Sequence, residues 1–184
     1  MLQNHGSPYG IFIVHQVQNQ TFTRGNLMNV GFSFAKASHH HFDCFILHDV
    51  DLLPLPKRNN FGGANAMSRR QFQRCNGFST RYWGWGGEDD DLYIRRVEGP
   101  TCSVRSSGQG ALWADSARGR YFMFKHIRDK GNVNVRRPRT TNRFLLKRAG
   151  ERFRADGLNS LRHQILSVKR RALYTEILVD LQVD

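Results

Sequence analysis

The chain has three cysteines in 184 residues, Cys44, Cys75 and Cys102, and no pair has C-x-x-C spacing. An odd number without that spacing excludes a cysteine zinc motif and a complete disulfide framework within the chain, and it leaves the redox compartment undecided. All three lie in or near apolar stretches, so the expectation is buried thiols. No apolar run approaches the ~20 residues of a membrane span, and no signal peptide opens the chain. Internal repeats and low-complexity tracts are also missing. Acidic residues are scarce, 15 against 28 Lys and Arg, for a formal net charge of +13. The chain is nevertheless 39% hydrophobic with 13 Phe and 3 Trp, which excludes a disordered polymer. Its length suits one ordinary domain.

A charge of +13 first suggests a nucleic-acid module. The distribution argues otherwise. Up to Asp91 there are 8 basic and 7 acidic residues, and from Leu92 onward 20 basic and 8 acidic. The tightest acidic cluster therefore sits in a nearly neutral half, beside a strongly basic one. That pairing suits a metal-assisted phosphate site at least as well as DNA. A nucleic-acid module would leave the acidic cluster unexplained.

Hydrophobic patterning gives an α/β chain. Gly-Ile-Phe-Ile-Val at 10–14 reads as a short buried strand. Leu27, Val30, Phe34 and Ala37 fall at helical spacing over 24–37, and Cys-Phe-Ile-Leu at 44–47 reads as a second buried strand. Strand, helix, strand is the pattern of a parallel α/β unit. Ligands in such sheets gather beyond the carboxyl ends of the strands, which is where Asp49 and Asp51 fall. Phe61-Gly62-Gly63 opens another element. Ser68 with Gln71 fits a capping box for a short helix carrying Phe72, and Asn76-Gly77 ends it. A helix is expected over 92–97, a strand over 121–124, a polar basic loop over 127–143, a helix near 145–153 and a closing strand over 173–181. The three histidines at 39–41 read as a solvated loop.

Two constellations carry chemistry. In a D-x-D at a strand end, both carboxylates of Asp49 and Asp51 can turn to one ligand, and a hard divalent ion on diphosphate oxygens wants such oxygens. Many D-x-D copies are solvated turns, so position decides the reading. The second constellation is Trp83-Gly84-Trp85-Gly86-Gly87 followed by Glu88, Asp89, Asp90 and Asp91. The glycines allow close backbone approach. Trp83 and Trp85 offer flat apolar faces of the kind that stack on sugar rings. Crowded carboxylates can raise one another's pKa and supply a general base. Together these read as a carbohydrate acceptor site. Met123 and His126 end a predicted strand, and on chemistry alone Met is a poor partner for a hard ion.

The sequence resembles the catalytic domain of the β-1,4-galactosyltransferase family. The resemblance rests on Tyr9-Gly10-Ile11, Phe22-Thr23-Arg24, Asn29-Val30-Gly31-Phe32, His48-Asp49-Val50-Asp51, Phe61-Gly62-Gly63, Asn76-Gly77-Phe78, Tyr82 with the Trp-Gly and acidic run, Met123 with His126-Ile127-Arg128-Asp129-Lys130, and Asp156-Gly157-Leu158-Asn159-Ser160-Leu161. These run in family order over nearly the whole chain.

The resemblance implies a GT-A fold, with a Rossmann-like mixed sheet flanked by helices, forming one glycosyltransferase domain over 1–184. It implies Mn²⁺-dependent, inverting transfer of galactose from UDP-galactose to the 4-hydroxyl of a terminal N-acetylglucosamine, in the Golgi lumen. By position, Asp51, Met123 and His126 would bind the metal. Phe22, Arg24, Asp49, Gly63 and Trp85 would lie on the donor side. Asp89 would be the catalytic base, with Trp83, Glu88, Asp90 and Arg137 on the acceptor. The loop after His126 would close over donor and metal. No nucleic-acid partner is expected, and membrane contact only through a family anchor outside this chain.

Against the family pattern, the chain begins inside the domain, after the anchor, the stem and the first nucleotide-binding strand. The segment near 52–60 is short, and Cys44 lacks the partner that the family pattern gives it. Asn60 stands where the family usually has an aromatic beside the donor sugar, and Pro138 follows Arg137 where the family has Phe. Alternatives are transfer of N-acetylgalactosamine, transfer of galactose to xylose of the proteoglycan linker, and an inactive sugar- or nucleotide-binding remnant.

Overall fold

The computed structural model describes residues 8–38, 40–50, 52–54, 64–98, 121–123 and 139–181. The chain is mixed α/β. Strand β1 (Phe12–Gln16) leads to helix α1 (Arg24–Ala37) and strand β2 (Cys44–His48). Strands β3 (Leu52–Pro54) and β4 (Ala64–Ser68) and helices α2 (Arg69–Arg74) and α3 (Glu88–Glu98) follow. Then come β5 (Tyr121–Met123), α4 (Arg139–Lys147), α5 (Ala149–Arg152), a 3₁₀ turn at Leu158–Ser160, and the hairpin β6 (Gln164–Arg170) and β7 (Thr175–Asp180).

Three ladders form among these strands. β1 pairs parallel with β7, which pairs antiparallel with β6; β2 pairs antiparallel with β4; β3 pairs antiparallel with β5. The strand–helix–strand expectation holds for the elements but not for direct pairing of the two strands. β1 and β2 take their hydrogen bonds from β7 and β4 instead, and α1 packs against both ladders.

Helix α1 can do this because two of its faces are apolar. Phe32 and Ala35 join Phe45 and Leu47 of β2, Met67 of β4 and Phe72 of α2 in one core cluster. Leu27 and Val30 join Ile177, Val179 and Leu181 in a second. Burial of such side chains is worth ~1.5–3 kcal/mol each. Ring contacts tie the first cluster together, with Phe32 centroids 4.6 Å from Phe45 and 4.5 Å from Phe72. The capping box is present as read: the Ser68 amide donates to Gln71 Oε1 at 2.8 Å, and the Gln71 amide to Ser68 Oγ at 3.2 Å. It starts α2 and so drives Phe72, fully buried, into the core. At the other end Asn76 (φ 58°) and Gly77 (φ 64°) turn the chain in the left-handed region. A Cβ on Gly77 would meet Asn29 Oδ1 at 2.4 Å, so no larger residue fits there.

The cysteines depart from the expectation. Cys75 is buried but disulfide-bonded, and Cys44 is an exposed free thiol. Cys44 opens β2, whose side chains alternate outward and inward, and it falls on the outward face beside Ile46. Cys102 lies outside the described residues. Helix α3 begins four residues earlier than expected, at Glu88, because acidic groups in a first turn suit the helix dipole. The expected helix near 145–153 is split into α4 and α5 and begins earlier, at Arg139. No described helix is long and apolar enough to cross a membrane.

Candidate active site

The segment before α1 and the Trp-Gly loop are stitched together by backbone. Gly84 N donates to Phe22 O at 2.7 Å, and Thr23 Oγ1 donates to Tyr82 O at 2.9 Å. Thr23, fully buried, thus spends its hydroxyl on the loop rather than on capping α1. Asn29 of α1 makes a two-way contact with Phe78, donating from Nδ2 to the carbonyl (2.8 Å) and accepting from the amide at Oδ1 (2.9 Å). The loop itself needs its glycines. Gly84, Gly86 and Gly87 have φ of 75°, 98° and 99°. A Cβ on Gly87 would sit 2.8 Å from the Tyr82 ring. From the far side, Asn142 of α4 donates to Gly86 O at 2.7 Å.

This stitching brings the two sequence motifs into one network. Arg24, at the start of α1, donates from Nε to Asp49 Oδ1 at 2.5 Å and from Nη1 to Glu88 Oε1 at 3.5 Å. Asp49 directly follows β2 and Glu88 opens α3, 39 positions apart in sequence, and one guanidinium joins them. Phe22 is 40% exposed and Trp85 60% exposed, which leaves two aromatic surfaces open beside this network. Trp83 is different: it is half-buried and packs against the core cluster of Leu27, Val30 and Ile177. Its ring holds the loop down, and Trp85 is the open face.

The four acidic side chains part ways. Asp91 is fully buried and Glu88 nearly so, whereas Asp89 is half-buried and Asp90 exposed. Asp89 Oδ1 accepts from the Asp90 amide at 2.9 Å. Burial pushes the Asp90 carboxyl up, and the charge of Asp89 adds to the push. Glu88 is pushed up by burial first and then by Asp89, with Arg24 pulling it back. Its Oε2 is buried with no hydrogen-bond partner among the described residues.

A carboxyl raised in the folded state keeps its proton to a higher pH than it does in the unfolded chain. Between the two pKa values the folded state therefore binds more protons, so stability falls as pH rises through that window. Glu88→Gln is expected to raise the melting temperature at about pH 8, with the gain vanishing near pH 4, where both forms are neutral. Thermal unfolding of the two proteins at both pH values checks this. A loss at the higher pH would mean that pairing with Arg24 outweighs burial.

Of the residues assigned by resemblance, Phe22, Arg24, Asp49, Trp83, Trp85, Glu88, Asp89 and Asp90 fall in or beside this one region. Asp51, Gly63, His126 and Arg137 lie outside the described residues, as does the side chain of Met123. The backbone of β5 is described, and its register sets Met123 opposite Leu52, the residue that follows Asp51. Of the loop expected over 127–143, residues 127–138 also lie outside the described set, and 139–143 are helical, in α4. Thr23, Asn142 and Arg152 hold the site from behind and carry no local sequence signal. Asp156 lies in the Asp-Gly-Leu-Asn-Ser-Leu motif and also holds the site from behind, accepting from Ser79 Oγ at 2.7 Å.

Comparison with known proteins agrees with this geometry. The chain matches the model for the N-terminal region of glycosyl transferase group 7 over residues 1–63, and the model described as the N-terminal domain of galactosyltransferase over residues 48–127. In structure it is similar to the catalytic domain of Drosophila β-1,4-galactosyltransferase 7 in complex with xylobiose, with TM-score 0.72, 24% identity, and coverage of 100% of this chain and 84% of that one. A mutant of that enzyme in complex with manganese, UDP-Gal and xylobiose matches at TM-score 0.69 and 24% identity, with the same coverage.

The fold is thus that of the GT-A glycosyltransferase catalytic domains. Sequence similarity narrows this further. The chain is 40% identical to β-1,4-galactosyltransferase 4 of Cricetulus griseus over 206 residues, 97% of this chain and 56% of the relative. It is 35% identical to β-1,4-galactosyltransferase 2 of the same species over 207 residues, 98% of this chain and 53% of that relative. The chain belongs to the β-1,4-galactosyltransferase family, and it spans about half the length of the curated relatives it matches.

Proposed function

We propose that this chain carries the catalytic domain of a β-1,4-galactosyltransferase, moving galactose from UDP-galactose to the 4-hydroxyl of a terminal N-acetylglucosamine. The observation that carries the reading is the Arg24 bridge between Asp49 and Glu88. It makes one site of a diphosphate-type motif and an acceptor-type motif. In this reading Phe22, Arg24, Asp49 and Gly63 face the nucleotide sugar, with Trp85 against the donor. Glu88, Asp90 and Arg137 belong to the acceptor side, and Trp83, packed on the core cluster, supports the loop that carries Trp85.

Asp51, Met123 and His126 would hold Mn²⁺. The register of β3 and β5 supports this, because it sets Met123 opposite Leu52, the neighbour of Asp51, across 71 sequence positions. When bound, the ion would act as a Lewis acid towards the charge on the departing diphosphate. Asp89 takes the proton from the acceptor 4-hydroxyl as that oxygen forms its bond to the anomeric carbon and the bond to UDP breaks. Single displacement inverts the centre, giving a β linkage from an α donor. Trp85, 60% exposed, offers an apolar face where donor sugar and acceptor would meet. The basic loop after His126 would exclude water from the donor.

The disulfide at Cys75 requires an oxidising compartment, which supports a secretory-lumen location such as the Golgi. Initial-rate competition between UDP-galactose and UDP-N-acetylgalactosamine, on N-acetylglucosamine and xylose acceptors, tests the reading. The expected result is preferred use of UDP-galactose and N-acetylglucosamine. Preference for another pair would move the assignment within the family. Nucleotide binding without transfer to any acceptor would leave only a binding remnant.

A further inference from the structure

Behind the acidic run lies a buried set of charges that binds no sugar or nucleotide in the function proposed above. Asp91 is fully buried in α3. It accepts from Tyr82 Oη at 2.9 Å and from Arg152 Nη2 at 2.8 Å, and it also pairs with Arg95 Nε one turn along the helix. Arg95, with no exposed surface, donates to Asp156 O at 2.5 Å. Arg152 of α5 pairs with Asp156 as well, and donates to Leu145 O at 2.8 Å. Two carboxylates face two guanidiniums, so the set is neutral. Burial pushes the Asp91 carboxyl up, and the two guanidiniums and the Tyr82 hydroxyl pull it back down.

Asp156 also reaches the other end of the Trp-Gly loop. It accepts from Ser79 Oγ at 2.7 Å and from the Thr80 amide at 2.9 Å. The loop is therefore tied at both ends, before Trp83 through Asp156 and after Asp90 through Asp91, and Arg152 links the two ties. Helical geometry gives this a consequence for Asp89. At ~100° per residue, Asp91 pointing inward turns Asp89 by ~200° away from the core, with Asp90 ~100° away. Asp89 is nevertheless half-buried, whereas Asp90 is exposed, so the side of the helix opposite Asp91 faces a partly enclosed surface rather than open solvent.

We infer that Arg152, through Asp91 and Asp156, is a positioning residue that sets the rotation of the first turn of α3 and so aims Asp89 into the cleft. This rests on the transferase reading for its effect on rate but not for its structural content. Arg152→Met removes the charge and the fork, and Arg152→Lys keeps the charge but loses the fork. A misaimed base costs turnover, while the donor side keeps its short Arg24–Asp49 pair, which lies outside α3, and loses at most the longer 3.5 Å contact from Arg24 to Glu88. In Arg152→Met the expected result is a fall in kcat of about tenfold to a hundredfold per UDP-binding site, with the Kd for UDP in the presence of Mn²⁺ within about twofold of the parent. Arg152→Lys should recover part of the loss. Amide exchange at residues 88–91 should speed up about tenfold or more, while exchange at Val30 and Phe32 in α1 stays unchanged.

Unchanged kcat per UDP site, or unchanged exchange at 88–91, would overturn the inference. So would loss of UDP binding in proportion to kcat with faster exchange across α1, the signature of a merely structural role. If Arg152→Met does not fold, the same two readouts on Arg152→Lys decide it. If the parent protein transfers no sugar, the transferase reading fails, and the exchange measurement alone still decides whether Arg152 sets the helix turn.

Discussion

Asp89→Asn is expected to abolish sugar transfer, with kcat lower by about 10²–10⁴, while UDP binding stays within about twofold of the parent. The amide keeps the shape of the carboxylate, and its Oδ1 can still accept from the Asp90 amide, a bond of 2.9 Å in the parent. What it loses is the capacity to take a proton from the acceptor hydroxyl. Nucleotide contacts are proposed on the far side of the Arg24 bridge, which the substitution does not touch. Steady-state kinetics with calorimetric titration of UDP separates the two effects. Near-normal transfer would remove Asp89 from the role of base and return attention to Glu88, whose raised carboxyl is buried beside it.

The second large effect concerns stability. Arg95→Met is expected to cost about 3–5 kcal/mol, lowering the melting temperature by about 6–20 °C. Arg95 has no exposed surface and pairs with Asp91 and Asp156, whose side chains are 0% and 7% exposed. Met matches much of its volume but leaves part of the carboxylate charge uncompensated in a low-dielectric interior. Arg152 can offset some of this, which sets the lower end of the range. Thermal unfolding followed by circular dichroism checks it. A cost below about 1 kcal/mol would mean that the quartet contributes orientation rather than stability.

Much of the architecture was legible because its signals are local. The helical spacing of Leu27 and Val30 gives α1, the short apolar run gives β2, and Ser68 with Gln71 gives the start of α2. The site was legible where chemistry is concentrated, as in the acidic run at 88–91. What could not be read is carried by partners far apart in sequence. Arg152 reaches Asp91 across 61 positions and Asn142 reaches Gly86 across 56, and an isolated Arg or Asn in a basic tail has no pattern. Strand β6 was also hidden. Gln164–Arg170 is exposed on nearly every side chain, so it lacks the alternation of a half-buried strand. Trp83 shows the limit of residue type as a guide. It shares the aromatic face of Trp85, but tertiary packing commits it to the core cluster.

We propose that the Arg24-linked region is a metal-dependent galactosyl transfer site. Incubating the protein with UDP-galactose, N-acetylglucosamine and Mn²⁺, and identifying the product linkage by NMR, tests it most directly. The expected product is a β-1,4-linked disaccharide that disappears on chelation of the metal and in Asp89→Asn. No sugar transfer to any acceptor with Mn²⁺ present, or transfer that survives both treatments, would contradict it.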